Sequence, residues 1–281
     1  MSELNRWNLI YSWLDPVALQ LGWFSLHWYG IMYVAALLVA FFAALKFAPS
    51  FGISKENVES YVFYAEIGVI LGARLGYILI YDPHTAYYLT HPWQIFNPVS
   101  NGEFVGIRGM SYHGAVVGFV AASLLYCKLK KQQMWRLLDL CALCIPLGYI
   151  FGRVGNFLNA ELFGRQSDVF WGVFIEGALR HPSQLYEAFF EGVVLFGLIY
   201  AWRKKQRFEG ELICVYLFFY GVARIFCEAF REPDSQIGFL AFGLSMGQVL
   251  SFLMIFAAVV LYAILRQKSP KNAATKGKKT R

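Results

Sequence analysis

Charge is what this chain has least of. Only 15% of its 281 residues are charged, whereas 58% are hydrophobic and 18% aromatic, and its mean hydropathy is +0.46. A soluble domain of this length carries more charge and fewer aromatics, so the balance excludes that class and indicates an integral membrane protein. Cysteine is sparse too. The five, Cys127, Cys141, Cys144, Cys214 and Cys227, are an odd number with no paired spacing across loops, which argues against a disulfide framework. Cys141-x-x-Cys144 has no second Cys/His pair to complete a metal site, and small apolar packing is the simpler reading. No nucleotide loop, metal cluster or internal repeat is visible, and no cofactor is expected. The first twenty residues lack the basic start, short apolar run and cleavage site of a secretory signal, so the N terminus is expected to be retained.

What the chain does have is long apolar runs. Windows of about 20 residues find seven, near 25–46, 58–81, 110–128, 136–158, 184–202, 210–230 and 244–265. Each must satisfy its own backbone in lipid, so each is expected to be a helix. The predicted fold is an all-α integral membrane protein with seven transmembrane helices. Most of the 25 lysines and arginines fall in 46–57, 128–136, 203–209 and the segment from Arg266 onward. Positive charge marks the cytoplasmic side, which puts the N terminus outside (periplasmic) and the C terminus in the cytoplasm. Residues 1–268 then form one transmembrane domain, and 269–281 a basic, disordered cytoplasmic tail. The pI of about 9.1 arises in those loops and that tail, so no nucleic-acid partner is implied. Trp7, Tyr11, Trp13, Trp23, Trp28 and Tyr29 are placed as rings lining a membrane interface.

Three arginines break the apolar pattern: Arg74, Arg153 and Arg224. An arginine near the centre of a span costs roughly 2.5–3.5 kcal/mol, so each requires a compensating partner, and an anion is the obvious one. Arg153 lies about 26 Å along a core about 30 Å thick, near the outer face. Arg74, Arg224, His113 and Glu187 fall at the outer ends of their own spans. Five helices thus bring polar groups to one depth, as a site for a charged lipid headgroup requires. Gly221, Arg224, Glu228 and Arg231 share one helical face, where Glu228 either holds an arginine in position or merely neutralises it. The run Gly152–Arg165 adds Asn156, Asn159, Glu161, Gly164 and Arg165. It reads as a polar site or as a glycine-rich helix end with a polar exit loop. His113 reads as a working histidine or an interfacial one, and His27 is equally ambiguous. Gly68, Gly72 and Gly76 form a ridge suited to close helix packing, with Arg74 facing away from it.

At these residues the sequence resembles the bacterial prolipoprotein diacylglyceryl transferases over nearly its whole length. The resemblance rests on His27-Trp-Tyr-Gly30, Gly72-Ala-Arg-Leu-Gly-Tyr77, Ser111-Tyr-His-Gly114, Gly152-Arg-Val-Gly-Asn-Phe-Leu-Asn-Ala-Glu-Leu-Phe-Gly164, His181-Pro-Ser-Gln-Leu-Tyr-Glu187 and Tyr220-Gly-Val-Ala-Arg-Ile-Phe-Cys-Glu228 followed by Arg231. Ala73 stands where a second glycine is common, and Gln166-Ser167 where a threonine is expected nearby. The resemblance implies a multi-pass enzyme of the bacterial inner membrane. Its substrates would be phosphatidylglycerol and a prolipoprotein bearing a lipobox cysteine, joined through a thioether with release of glycerol phosphate. By that resemblance Arg153 and Arg224 are the leading phosphate ligands, Asn156 and Glu161 orient the site, and Tyr29 lies near the lipid. Arg74, Asn159, Gly164, Glu187, Glu228 and Arg231 complete the substrate-binding set, and His113 is the candidate base for the incoming thiol. A transporter and a non-catalytic lipid or peptide receptor are the rivals from other classes. Polar groups gathered towards one face, rather than at the midplane between repeats, speak against the first.

Overall fold

The structure, a computed structural model, describes residues 4–22, 24–100, 103–104, 109–233, 238 and 240–269. Trp23 and, beyond Ser269, the tail lie outside them. Seven long helices follow one another: α1 Trp28–Phe47, α2 Lys55–Ile80, α3 Tyr112–Lys130, α4 Met134–Leu158, α5 Ser183–Lys205, α6 Glu211–Glu228 and α7 Met246–Lys268. Six are long and apolar enough to cross a membrane. The exception is α6, whose 18 residues include Glu211, Arg224 and Glu228. Outward faces are apolar: Phe42, Phe63, Val117 and Phe256 are each more than half exposed, as expected where hydrocarbon is the solvent.

The helix ends are set locally. Ser54 and Ser111 cap α2 and α3 by accepting the Asn57 and Gly114 N–H groups. Ser245 and Gln248 form a reciprocal capping box at α7. The α6 start has no side-chain cap of its own. Instead the buried Asp139 of α4 accepts the N–H groups of Gly210 at 2.7 Å and Ile213 at 3.0 Å. A carboxylate there satisfies orphan donors and meets the positive end of the helix dipole.

The chain divides into two compact units, Met1–Phe47 with Leu138–Arg281, and Ala48–Leu137. In the second unit, α2 and α3 meet on the glycine ridge. A Cβ on Gly72 would sit 2.7 Å from the Gly118 Cα, and one on Gly76 2.7 Å from the Gly114 Cα. Nothing larger fits, which is how small residues give dispersion contact between helices that lipid does not drive together. Tyr61 and Ser123 hydrogen-bond across this pair at 2.8 Å.

The first unit carries the other five helices. Gly221 lets α6 lie on Ile255 and Ser251 of α7, and Gly192 of α5 lies against Ile150 of α4. Within α5 the segment Ala188–Val194 widens to a π-helix, a departure that recurs at functional sites. Two hairpins not expected from the apolar runs also appear: β1 Val17–Leu21 with β2 Phe24–His27, and β3 Val173–Ile175 with β4 Ala178–Arg180. The second turns through Glu176 and Gly177, both at positive φ, the backbone that matches strand twist in a two-residue loop. Two of the N-terminal aromatics brace the end of α4. Trp7 stacks on Phe157 and donates to the Trp171 carbonyl at 2.7 Å, while the Tyr11 hydroxyl donates to the Phe157 carbonyl at 2.8 Å. The last α4 carbonyls lack helical partners, and a phenol supplies one.

Candidate functional site

Three helices of the first unit build a network of charge around Glu187, which is fully buried. From α4, the Arg153 Nε lies 2.8 Å from Glu187 Oε2. From α6, Arg224 donates to the same oxygen at 2.9 Å. The Arg231 guanidinium, just past the α6 end, approaches the other oxygen to 3.5 Å. One carboxylate therefore gathers three guanidiniums. Arg224 also donates to Glu228 and approaches Glu191 to 3.6 Å. Ser245, the α7 cap, donates to the second Glu228 oxygen at 2.6 Å.

Burial decides what this network presents. The Glu187 and Glu191 side chains are 1% and 0% exposed, while Arg153, Arg224 and Arg231 are 16%, 15% and 11% exposed. The carboxylates are sealed while the arginine side chains keep some exposure, so the charge that remains within reach belongs to the arginines. Like-charged guanidiniums this close are tolerable only because the buried acids hold them. In return they offer an anion several planar donors at once.

The polar run after α4 is folded back onto this network. Asn156 accepts from Arg153 at 3.3 Å and donates to Glu161 at 2.7 Å. To bring Glu161 round, the chain places Ala160 and Leu162 at positive φ, a conformation costly for residues with a Cβ and met at functional sites. Gln184 and Ser183, from the His-Pro-Ser-Gln segment, donate to the carbonyls of Glu161 and Leu162 at 2.5 and 3.1 Å. Gly164 is pinned between two strips of backbone, where a Cβ would meet the Phe230 carbonyl at 2.5 Å and the His181 carbonyl at 2.6 Å. Arg165 closes the end of α6 by donating to the carbonyls of Arg231 and Glu228 at 2.9 and 3.1 Å.

The structure thus joins Arg153, Asn156, Glu161, Glu187, Arg224, Glu228 and Arg231 in one network and seats Gly164 in its frame. Tyr29, at the first turn of α1, packs against Gly155. Asn159 ends the helix through its backbone and makes no side-chain hydrogen bond among the described residues. Arg74 and His113 belong to the second unit. There the buried Arg74 donates to the carbonyls of Ile95 at 2.5 Å and Gly109 at 3.2 Å, with the rings of Tyr88 and Tyr77 beside it. Those carbonyls compensate part of its desolvation cost. His113 stands exposed on the first turn of α3, edge-on to Tyr112.

Three members were not anticipated: Tyr149, Glu191 and the α7 cap Ser245. Tyr149, one turn before Arg153, accepts from the Arg153 Nε at 2.8 Å, and its hydroxyl donates to Glu191. Glu191 carried a readable signal, a carboxylate four residues beyond Glu187 in an apolar run. Tyr149 carried none until Arg153 was given a partner.

A family model described as prolipoprotein diacylglyceryl transferase matches residues 16–264. A phosphatidylglycerol–prolipoprotein diacylglyceryl transferase of Campylobacter curvus (strain 525.92) is 59% identical over 266 residues, 94% of this chain and 98% of the relative. Proteins of the same description from Campylobacter lari and Campylobacter hominis are 58% identical over 262 residues and 56% over 265. They cover 92% and 94% of this chain, and 97% and 95% of themselves. A match of this extent shows that the chain belongs to the prolipoprotein diacylglyceryl transferase family.

Proposed function

We propose that this chain transfers the diacylglyceryl group of phosphatidylglycerol to the lipobox cysteine of a prolipoprotein, the first step of lipoprotein maturation. The observation that carries this reading is the gathering of Arg153, Arg224 and Arg231 on buried Glu187, with the arginines the more exposed partners. In the reaction the cysteine sulfur forms a bond to the glyceryl carbon, and that carbon's bond to the phosphate oxygen breaks. The electron pair leaves with the phosphate, and glycerol phosphate is released. Charge rises on the phosphate as the bond breaks, so donors held in place beforehand lower the barrier without reorganising. Arg153 and Arg224 carry that role. Asn156 and Glu161 keep Arg153 aligned, Glu228 and Arg231 do the same for Arg224, and Tyr29 and Asn159 contact the lipid. The thiol must also lose its proton, since free cysteine with a pKa of ~8.5 is mostly protonated at neutral pH. His113 is the proposed acceptor.

Seven crossings follow from the same reading. The six apolar helices are joined by α6, whose Arg224 and Glu228 neutralise each other while Glu211 pairs with Arg207. An odd number, with lysine and arginine on the cytoplasmic side, supports an outward N terminus in the bacterial inner membrane. The test is direct. Purified protein incubated with phosphatidylglycerol and a lipobox peptide adds the mass of one diacylglyceryl group to the peptide cysteine. Lipid binding or flux with an unmodified peptide overturns the assignment in favour of a receptor or transporter.

A further inference from the structure

Arg153 is held in an asymmetric way. Its Nε–H donates to Tyr149 Oη at 2.8 Å, with Glu187 Oε2 an ion-pair partner 2.8 Å from the same nitrogen, and its ring-facing side lies over Tyr149, 4.9 Å from the ring centroid. One terminal nitrogen donates to Asn156. The other, Nη2, has no hydrogen-bond partner among the described residues, and its donors remain for a ligand. The orientation of that nitrogen is therefore fixed from behind, by what occupies Nε. Tyr149 accepts there only if its own O–H points elsewhere, and it points to Glu191, the nearer acceptor, with Glu187 Oε2 farther off at 3.4 Å.

Glu191 is 1% exposed. One of its oxygens accepts the Tyr149 O–H, and the other has no hydrogen bond but lies 3.6 Å from the Arg224 Nη1. Arg153 and Tyr149 from α4, Arg224 and Cys227 from α6, and Glu187 on its own helix are the charged and titratable groups that face it. A buried carboxyl group with so few partners is costly to keep unless it orders its neighbours. We propose that Tyr149 and Glu191 are positioning residues. Glu191 sets the Tyr149 hydroxyl, Tyr149 sets the Nε edge of Arg153, and the Arg153 and Arg224 forks are thereby aimed together at one phosphate. The π-helical segment Ala188–Val194 of α5 is what carries Glu191 at this level. The proposal rests on the reading of the arginines as phosphate ligands.

A double-mutant cycle separates aiming from packing. The affinity of detergent-solubilised protein for glycerol phosphate, the released product, is measured for Tyr149→Phe and Glu191→Gln, each in the native and the Arg153→Lys background. Phe and Gln nearly preserve volume, so packing is little disturbed. In the native background each variant weakens binding about tenfold, the size expected for a lost hydrogen bond to a charged group. In the Arg153→Lys background, where a point charge replaces the planar fork, the same changes have less than a twofold effect. Tyr149→Phe and Glu191→Gln together weaken binding no more than either alone. Equal losses in both backgrounds, or additive losses in the double variant, overturn the positioning role. A native protein that neither binds glycerol phosphate nor modifies a lipobox peptide overturns the functional reading instead.

Discussion

Gly247 and Glu228 meet so closely that a Cβ on the glycine would sit 2.6 Å from the carboxyl carbon and from one of its oxygens. The absence of a side chain on α7 is thus part of how Arg224 on α6 is held. Glu228 cannot yield without releasing Arg224 or Ser245. Gly247→Ala should lower kcat/KM for transfer by roughly ten- to a hundredfold, the equivalent of about 1.5–3 kcal/mol for a charge-assisted hydrogen bond. Assay of the variant at matched expression checks this, and activity within twofold of native would show that Glu228 has room to move.

Arg153 serves the same network from α4, and geometry rather than charge alone should matter there. Arg153→Ala is expected to abolish transfer, and Arg153→Lys to restore little, because an ammonium group cannot span Tyr149, Asn156 and an anion together. Glu187→Gln should act mainly on stability. Removing the acid shared by three guanidiniums takes the ion pair from Arg153, while Arg224 and Arg231 keep Glu228, at a cost of about 3–5 kcal/mol. The readouts are turnover for the arginine variants and a thermal midpoint in detergent for Glu187→Gln. Lysine at 153 with near-native turnover would count against bidentate phosphate contact.

His113 needs a test of its own, because it stands exposed at the start of α3 in a unit separate from the arginine network. If it accepts the thiol proton, His113→Gln should lower kcat by roughly 10²–10⁴-fold and leave lipid binding intact. The loss should shrink as pH rises and the peptide thiol ionises unaided. A pH series of single-turnover rates decides it: full activity at neutral pH would pass the role to another group.

Much of this was legible in the residues, for a physical reason. Apolar length is set by the bilayer, so α1 to α7 lie within a few residues of the runs that announce them, and the Gly68–Gly72–Gly76 ridge meets α3 as its spacing requires. Charge inside an apolar run is equally conspicuous, which is why Arg153, Arg224, Glu187 and Glu228 could be named. The partners of Arg153 and Glu228 were harder to see. A tyrosine or serine in a membrane helix is ordinary by composition, so Tyr149 and Ser245 acquire meaning only through contacts between helices. The hairpins at Val17–His27 and Val173–Arg180 are short and outside the spans, beyond the reach of any search for apolar length. The resemblance located the loop from Asn156 to Gly164, but its two left-handed residues appear only in the fold.

Asp139 separates stability from chemistry. It is fully buried, accepts from Gly210, Ile213 and the Gln206 amide, and takes no part in the arginine network. Asp139→Ala strands those donors at the start of α6 and should cost about 1–3 kcal/mol or more. Asp139→Asn keeps one acceptor oxygen and should cost less. The thermal midpoint should fall in that order while kcat at a permissive temperature stays within about twofold, the usual scale for a change that leaves the site alone. Loss of turnover without loss of stability would tie the N-terminal end of α6 to the reaction.

His181 gives a pH dependence whose sign is fixed by its surroundings. Its Nδ1 lies 3.1 Å from the Tyr186 hydroxyl, its ring packs edge-on to Phe230, and its backbone holds Gly164 and Arg165. Burial pushes its pKa below that of free histidine. Between the lowered native value and the unfolded value near ~6.5, the unfolded chain binds more protons than the folded one, so stability rises with pH. The contribution is complete above the unfolded value and is lost as pH falls towards the native one. Thermal midpoints from pH 8 down to pH 5 should therefore drop more steeply for the native protein than for His181→Gln, which has no proton to gain. Parallel curves would mean that the imidazole takes up its proton without disturbing the Tyr186 and Phe230 contacts.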